Sequence, residues 1–192
     1  MFSHTVSGII IKRANYGEGD RLLTIITKEH GKIKVLAKGI RKINSRRSGS
    51  VELFNFSRLS LSKGRSFYIL SEAKVINTFP KIREDLRKIG VAFYAVELAD
   101  KFISENQENE EGFLAIKALF CDLDRNPLVK ILPTIEKLER TVLEISGFGV
   151  SETADGSELA FKRIEDIIGR SLYGRKFLSQ ISTTKDSREK KS

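Results

Sequence analysis

The sequence predicts an α+β chain in two parts, a five-stranded antiparallel barrel of the OB type over residues 1–79 and an all-α helical domain over 80–180, followed by a disordered polar tail, 181–192. Three observations predict it. The first 80 residues carry five short β-branched or alternating runs separated by glycine-rich and polar turns. The apolar period changes from two to about 3.6 at Phe79-Pro80. The charge is also split: of a net +9 over 192 residues, the first 80 hold 15 Lys and Arg against 5 Asp and Glu, and the remainder hold 19 against 20.

The first strand is expected over Val6–Lys12, and the cluster from Asn15 to Asp20 forms its turn. Arg21–Thr27 is the second strand, and Lys28-Glu29-His30-Gly31 reads as a tight hairpin. Lys32–Lys38 alternates, with Ile33, Val35 and Ala37 on one face and Lys32, Lys34 and Lys38 on the other. A basic loop from Gly39 to Ser50 carries Arg41, Lys42, Arg46 and Arg47 without an apolar pattern, so a flexible arm is expected there. The fourth strand is expected over Val51–Leu61 and the fifth from Phe67 to about Thr78, with Lys63-Gly64-Arg65 turning between them. No helix long enough for a parallel crossover lies in this stretch, so the pairing should be antiparallel. An SH3-like barrel fits the strand count almost as well.

Beyond Pro80 a helical stripe runs through Ile82, Leu86, Ile89, Phe93 and Val96 to Phe102 and Ile103. The polar run Ser104–Glu111 separates it from a second stripe, Phe113, Ile116, Leu119, Phe120 and Leu123, which Asn126-Pro127 ends. A third helix buries Ile131, Ile135, Leu138, Val142 and Ile145 and stops at Gly147, and a short fourth spans Glu158–Gly169.

The chemistry of catalysis is missing from the sequence. There is no phosphate-binding G-x-x-x-x-G-K-[ST] loop and no G-x-S-x-G elbow. Gly17-Glu18-Gly19 lacks the third glycine and the strand–helix setting of a dinucleotide site. The only histidines, His4 and His30, lie far apart in sequence at strand ends and read as separate surface residues. The one cysteine, Cys121, lies on a helix stripe and reads as structural; a lone thiol fits a reducing cytoplasm and excludes a multi-cysteine zinc site. No cofactor, metal, enzymatic activity, signal peptide or membrane span is expected.

A basic barrel with interleaved aromatics is suited to nucleic acid: cations neutralise phosphates and release counterions, and rings stack on bases. The candidate contacts are Lys12, Arg13, Tyr16, Arg21, Lys32, Lys34, Lys38, Arg41, Lys42, Arg46, Arg47, Arg58, Lys63 and Arg65. Phe54, Phe56 and Tyr68 are further candidate stacking rings, unless they plug the barrel. An RNA-binding module, or an adaptor for an acidic protein, would draw on the same basic surface.

Several segments carry a family resemblance. Gly8–Arg13, Tyr16-Gly17-Glu18-Gly19-Asp20-Arg21-Leu22-Leu23, Thr27–Gly31 and Ala37-Lys38-Gly39-Ile40-Arg41 resemble the N-terminal domain of the RecO family of recombination mediators. Phe79-Pro80 with Arg83-Glu84-Asp85-Leu86, Leu138-Glu139 through Gly147-Phe148, Gly169–Leu172 and Arg175–Leu178 are similar to its helical part. The resemblance implies an OB-fold protein of DNA repair that binds single- and double-stranded DNA and anneals complementary strands without ATP. It further implies that the protein acts with RecR and single-strand-binding protein, helps load RecA, and works in the bacterial cytoplasm at the nucleoid. Many members carry a four-cysteine zinc module between their helical segments. Here that stretch is Val150–Ser157, without cysteine, so the resemblance implies no zinc.

Overall fold

The computed structural model describes residues 3–42, 45, 47–127, 130–149, 156–175 and 177–178. Arg46, most of the 150–157 stretch and the expected tail lie outside the described residues. The chain forms two compact units. One runs to Phe79 and takes in Ile103–Lys117; the other holds Pro80–Phe102 and the chain from Ala118 onward. The division thus departs from a single boundary at Phe79-Pro80, because residues 103–117 pack with the barrel.

The barrel comprises β1 (Ser3–Tyr16), β2 (Asp20–Thr27), β3 (Gly31–Ala37), β4 (Phe56–Lys63) and β5 (Tyr68–Asn77), closed in the order β1-β2-β3-β5-β4. β1 is long enough to serve two neighbours, pairing its first half with β4 and its second half with β2. A bulge at Ile11 separates the β2 partners of Ile10 and Lys12 and turns the strand. All pairs are antiparallel except one. β3 meets β5 in parallel through Val35–Tyr68 and Leu36–Ile69 alone, which corrects the expectation of uniform antiparallel pairing. A ring of five strands cannot alternate direction throughout, so one like-directed pair is unavoidable.

Inward-facing Val6, Ile10, Leu23, Ile25, Ile33, Val35, Leu59, Leu61 and Leu70 fill the barrel. This is the face that period-two alternation assigned to β3. β4 starts later than expected. Ser48–Val51 is a turn of 3-10 helix, and Phe54 takes a left-handed φ of 71° while its amide donates to the Ile10 carbonyl at 2.8 Å. A bulky residue in that conformation is costly, and burial of its ring offsets the cost. The histidines, expected to be separate, meet. The His4 and His30 ring centres are 5.5 Å apart, and His4 lies 5.4 Å from the Tyr68 ring. His4 follows the inward parity of Val6 and Ile10, so the three rings gather where the strand ends converge.

Residues 103–107 run along the outer edge of β3. The Lys32 amide donates to the Ser104 carbonyl at 3.3 Å, and the Asn106 amide donates to the Lys32 carbonyl at 2.9 Å. Gly31 sits beneath this segment with φ at 57°, and a Cβ there would collide with the Gln107 carbonyl oxygen.

The second unit contains α1 (Pro80–Glu84), α2 (Leu86–Phe102), α4 (Ile131–Ile145), α5 (Gly156–Ile168) and the C-terminal half of α3 (Glu110–Arg125). A single helix was expected from Ile82 onward. It breaks at Asp85, whose carboxylate accepts from the Arg87 amide at 2.9 Å and from the Arg87 guanidinium at 2.7 Å. These bonds cap α2 and hold the Asp85 carboxyl below its usual range. The expected stripe is also rotated: Leu86 and Phe93 are 57% and 45% exposed, and Val91, Ala92, Tyr94, Ala95, Leu98 and Ala99 are buried instead. Small residues on that face admit close neighbours; Gly174 lies against Tyr94 so tightly that a Cβ would strike its backbone.

Two buried charges anchor this unit. Lys88 donates from Nζ to the carbonyls of Leu123 at 2.6 Å and Asn126 at 2.9 Å, completing the C-terminal end of α3. Glu139 on α4 is fully buried; its Oε1 accepts from the Tyr94 hydroxyl at 2.7 Å and lies 3.7 Å from Arg175, while Oε2 has no hydrogen-bond partner among the described residues. Burial raises the Glu139 carboxyl above the usual 4.5, against the opposing pull of Tyr94 and Arg175. The Arg175 guanidinium also stacks on Phe161, and Glu97 accepts from the amides of Tyr173 and Gly174. These contacts explain why the C-terminal Gly169–Leu178 segment returns to α2 and α4.

Two outcomes are expected. Gly31→Ala adds both left-handed strain and a backbone collision, so chemical denaturation should report a loss of about 2 kcal/mol or more; wild-type stability would show that residues 103–107 do not lie on β3. Glu139 binds its proton more tightly folded than unfolded, so its contribution falls as pH rises above the ordinary glutamate range. Glu139→Gln should therefore flatten the fall in stability as pH rises above the ordinary glutamate range and leave the variant the more stable at neutral pH. Melting curves across that range check both points, and an unchanged profile would contradict the burial cost.

Candidate nucleic-acid interface

The cations of the barrel fall into three groups set by local structure. The first group lies where the β1–β2 turn meets the chain leaving β3. The Asp20 carboxylate accepts from the Gly39 amide at 2.7 Å, and the Arg41 amide donates to the Gly19 carbonyl at 3.0 Å. Gly39 turns the chain with φ at 65°. The Arg41 guanidinium reaches the Gly17 carbonyl at 3.4 Å, and the Lys42 stem lies over Gly19 and Gly39. Lys38, Arg41 and Lys42 are all exposed around this junction. Tyr16, 45% exposed at the end of β1, meets Phe67 edge to face, so the β4–β5 turn, with exposed Lys63 and Arg65, joins the same end of the barrel.

The second group is on the strands. Lys12 is exposed on β1 just past its bulge. Arg58 is exposed on β4 and stands directly opposite Lys74 of β5, also exposed. Like charges facing each other across strands repel. Lys74 was missed from the sequence because its partner depends on register, and β5 carries a bulge at Ser71.

The third group is already engaged. Arg13 pairs with Glu52, and Arg21 lies 3.9 Å from the same carboxylate. Lys34 pairs with Glu105 at 2.9 Å. Lys32 is only 7% exposed, so the lysine face expected on β3 is not open at that position; residues 104–106 cover it. Arg47 is a structural clasp: it donates to the carbonyls of Leu70 at 3.0 Å, Ser71 at 3.1 Å and Lys38 at 2.9 Å. The arm expected to be flexible is therefore tied at Arg41, Lys42 and Arg47. Phe54 and Phe56 are buried, and Phe56 packs on Phe113 beneath Lys117; both belong to the core. Tyr68 is half-buried against the barrel interior.

This arrangement offers fixed donors and exposed cations at one barrel end. Among the described residues no group of three or more His, Cys, Asp and Glu side chains converges to hold a metal, and no helix is long and apolar enough to cross a membrane.

Known proteins share much of this sequence. A family profile described as Recombination protein O N terminal matches residues 1–79, and one described as Recombination protein O C terminal matches residues 83–157. A protein named DNA repair protein RecO from Roseiflexus sp. (strain RS-1) is 34% identical over 145 residues, covering 76% of this chain and 50% of that protein. Its namesake from Symbiobacterium thermophilum is 32% identical over 157 residues, covering 80% and 60%. That of Pelotomaculum thermopropionicum is 37% identical over 113 residues, covering 59% and 44%. The chain spans about half the length of the curated relatives it matches. The barrel junction itself joins the two most distinctive N-terminal segments, Tyr16–Leu23 and Ala37–Arg41, through Asp20 and Gly39. With both family profiles matched in order along one barrel and its helices, the chain belongs to the RecO family of DNA repair proteins.

Proposed function

We propose that this protein is a non-catalytic recombination mediator that binds single- and double-stranded DNA through its barrel and anneals complementary strands without ATP. The observation that carries this reading is the set of exposed cations on the barrel, Lys12, Lys38, Arg41, Lys42, Arg58, Lys63 and Arg65, in a half of the chain with net charge +10 (15 Lys and Arg against 5 Asp and Glu). Two strands of DNA repel each other along their length. A surface that neutralises phosphates on both lowers that repulsion, and base pairing then completes the reaction with no covalent step. Tyr16 supplies an exposed ring on which an unpaired base can stack.

Membership of the family supports the further proposal that the protein works with RecR and single-strand-binding protein and helps load RecA. On this proposal the protein acts in the bacterial cytoplasm, at the nucleoid.

Fluorescence anisotropy of a labelled single-stranded oligonucleotide across a salt series tests the DNA reading. With about six phosphates neutralised, binding should fall as roughly the fourth power of salt concentration, each contact contributing a slope near 0.7. Replacing Lys38, Arg41 and Lys42 together by alanine should make that slope shallower by about 2. Arg47 is left intact because its loss would open the barrel seam. Absence of binding at moderate salt would sink the DNA reading, and equal affinity for RNA of the same sequence would redirect it.

A further inference from the structure

Residues 104–111 read Ser-Glu-Asn-Gln-Glu-Asn-Glu-Glu, and within the barrel unit they lie against the β2–β3 hairpin, where they pair with two lysines and bury a third. Glu105 pairs with Lys34 at 2.9 Å, and Glu110 pairs with Lys28 at 2.8 Å. Between them Lys32 is buried, its backbone bonded to Ser104 and Asn106. Asn106 takes a left-handed φ of 55° as its amide turns toward Lys32. The whole 103–117 segment holds four glutamates and one lysine, Lys117, so it is an anionic piece laid on a cationic barrel.

Helix formation accounts for only part of this acidity. Asn109 caps α3 through its side chain, accepting from the Gly112 amide at 2.7 Å, and Glu110 and Glu111 occupy the favourable first turn. Glu105 and Glu108 precede the helix and gain nothing from its dipole. In this stretch the Lys34–Glu105 and Lys28–Glu110 pairs are each more than 40% exposed at both partners, so both are weak and screened by salt. One of its two backbone bonds is long, at 3.3 Å. A polyanion offers the same lysines many phosphates at once, with counterion release in its favour.

We propose that residues 104–111 are a displaceable acidic strap that occupies a second polyanion-binding face, Lys28, Lys32 and Lys34, and that DNA competes with the strap for these lysines. The proposal rests on the DNA-binding reading above. The strap sets a threshold: short or weakly held nucleic acid meets only the open cations, and a longer strand that lifts the strap gains three more. Lifting it also uncovers the outer edge of β3 from Gly31 to Lys34, which the strap otherwise seals.

The test uses the full chain and a single-stranded oligonucleotide of about 30 nucleotides. The triple variant Glu105→Gln, Glu108→Gln, Glu110→Gln should bind about three- to tenfold more tightly at low salt, with a salt slope steeper by about 1 to 2, because the released lysines reach phosphates. In the wild type, hydrogen exchange at the amides of Lys32 and Asn106 should speed up when the oligonucleotide is added. Wild-type binding with unchanged affinity and slope in the variant, and no faster exchange at those amides, would overturn the strap while leaving the DNA reading intact. If neither protein binds the oligonucleotide, the DNA reading fails and the strap falls with it. If only the variant binds, the strap stands as a block on the barrel lysines, and the reading that the exposed cations of the unaltered protein bind DNA fails. Because exchange is read on the unaltered protein, a misfolded variant does not remove the test.

Discussion

A closed ring of five strands must contain one pair that runs in the same direction, and here that pair is β3 with β5, joined through two residue pairs only. The seam is therefore the weak line of the barrel. β3 and β5 diverge on either side of it, each exposing main-chain groups that need partners. Much of the barrel's irregular chain is spent on this problem. Arg47 bridges the seam past its upper end by binding carbonyls from both sides, residues 104–106 run along the lower part of β3, and Tyr68, the β5 residue at the seam, packs with His4 and His30.

The same solution shapes the charge distribution. A barrel with so many cations repels itself, and its acidic groups are few, so where each one sits matters. Glu52 takes two arginines, Asp20 is committed to a backbone amide, and the strap neutralises the hairpin lysines. What is left unneutralised collects at the junction of the β1–β2 turn, the β3 exit and the β4–β5 turn, and at the facing pair Arg58 and Lys74. The basic surface is thus a remainder, fixed by which lysines and arginines the fold has already used.

Much of this was legible in the sequence where local rules decide. Alternation placed β2 and β3 within a residue or so, Pro80 marked the first helix, and Gly147, with φ at 77°, stops α4 as its position implied. The legible part ended where distant residues decide. No local signal announces that residues 103–117 return to the barrel, since a polar run between two helices reads as a simple connection. Phe54 looked like a strand residue because its left-handed backbone is stabilised by Ile10 and a buried ring, not by its own preference. The α2 stripe was assigned to the bulky residues, and the small ones are buried instead, with Gly174 packed on Tyr94 and Leu178 against Gly90. Within the site, the residue types were legible but their commitments were not. Arg13, Arg47 and Lys32 look like Lys12, Arg41 and Lys38 until their partners are known.

Arg47 binds only main-chain carbonyls, those of residues 38, 70 and 71. Every amino acid supplies such a carbonyl, so the clasp itself does not depend on which side chains stand at those three positions. Position 47 has no such freedom, because a planar, forked donor spanning three acceptors has no equivalent in lysine. A clasp of this kind is specified by one side chain and by the path of the backbone, not by a pair of matched side chains.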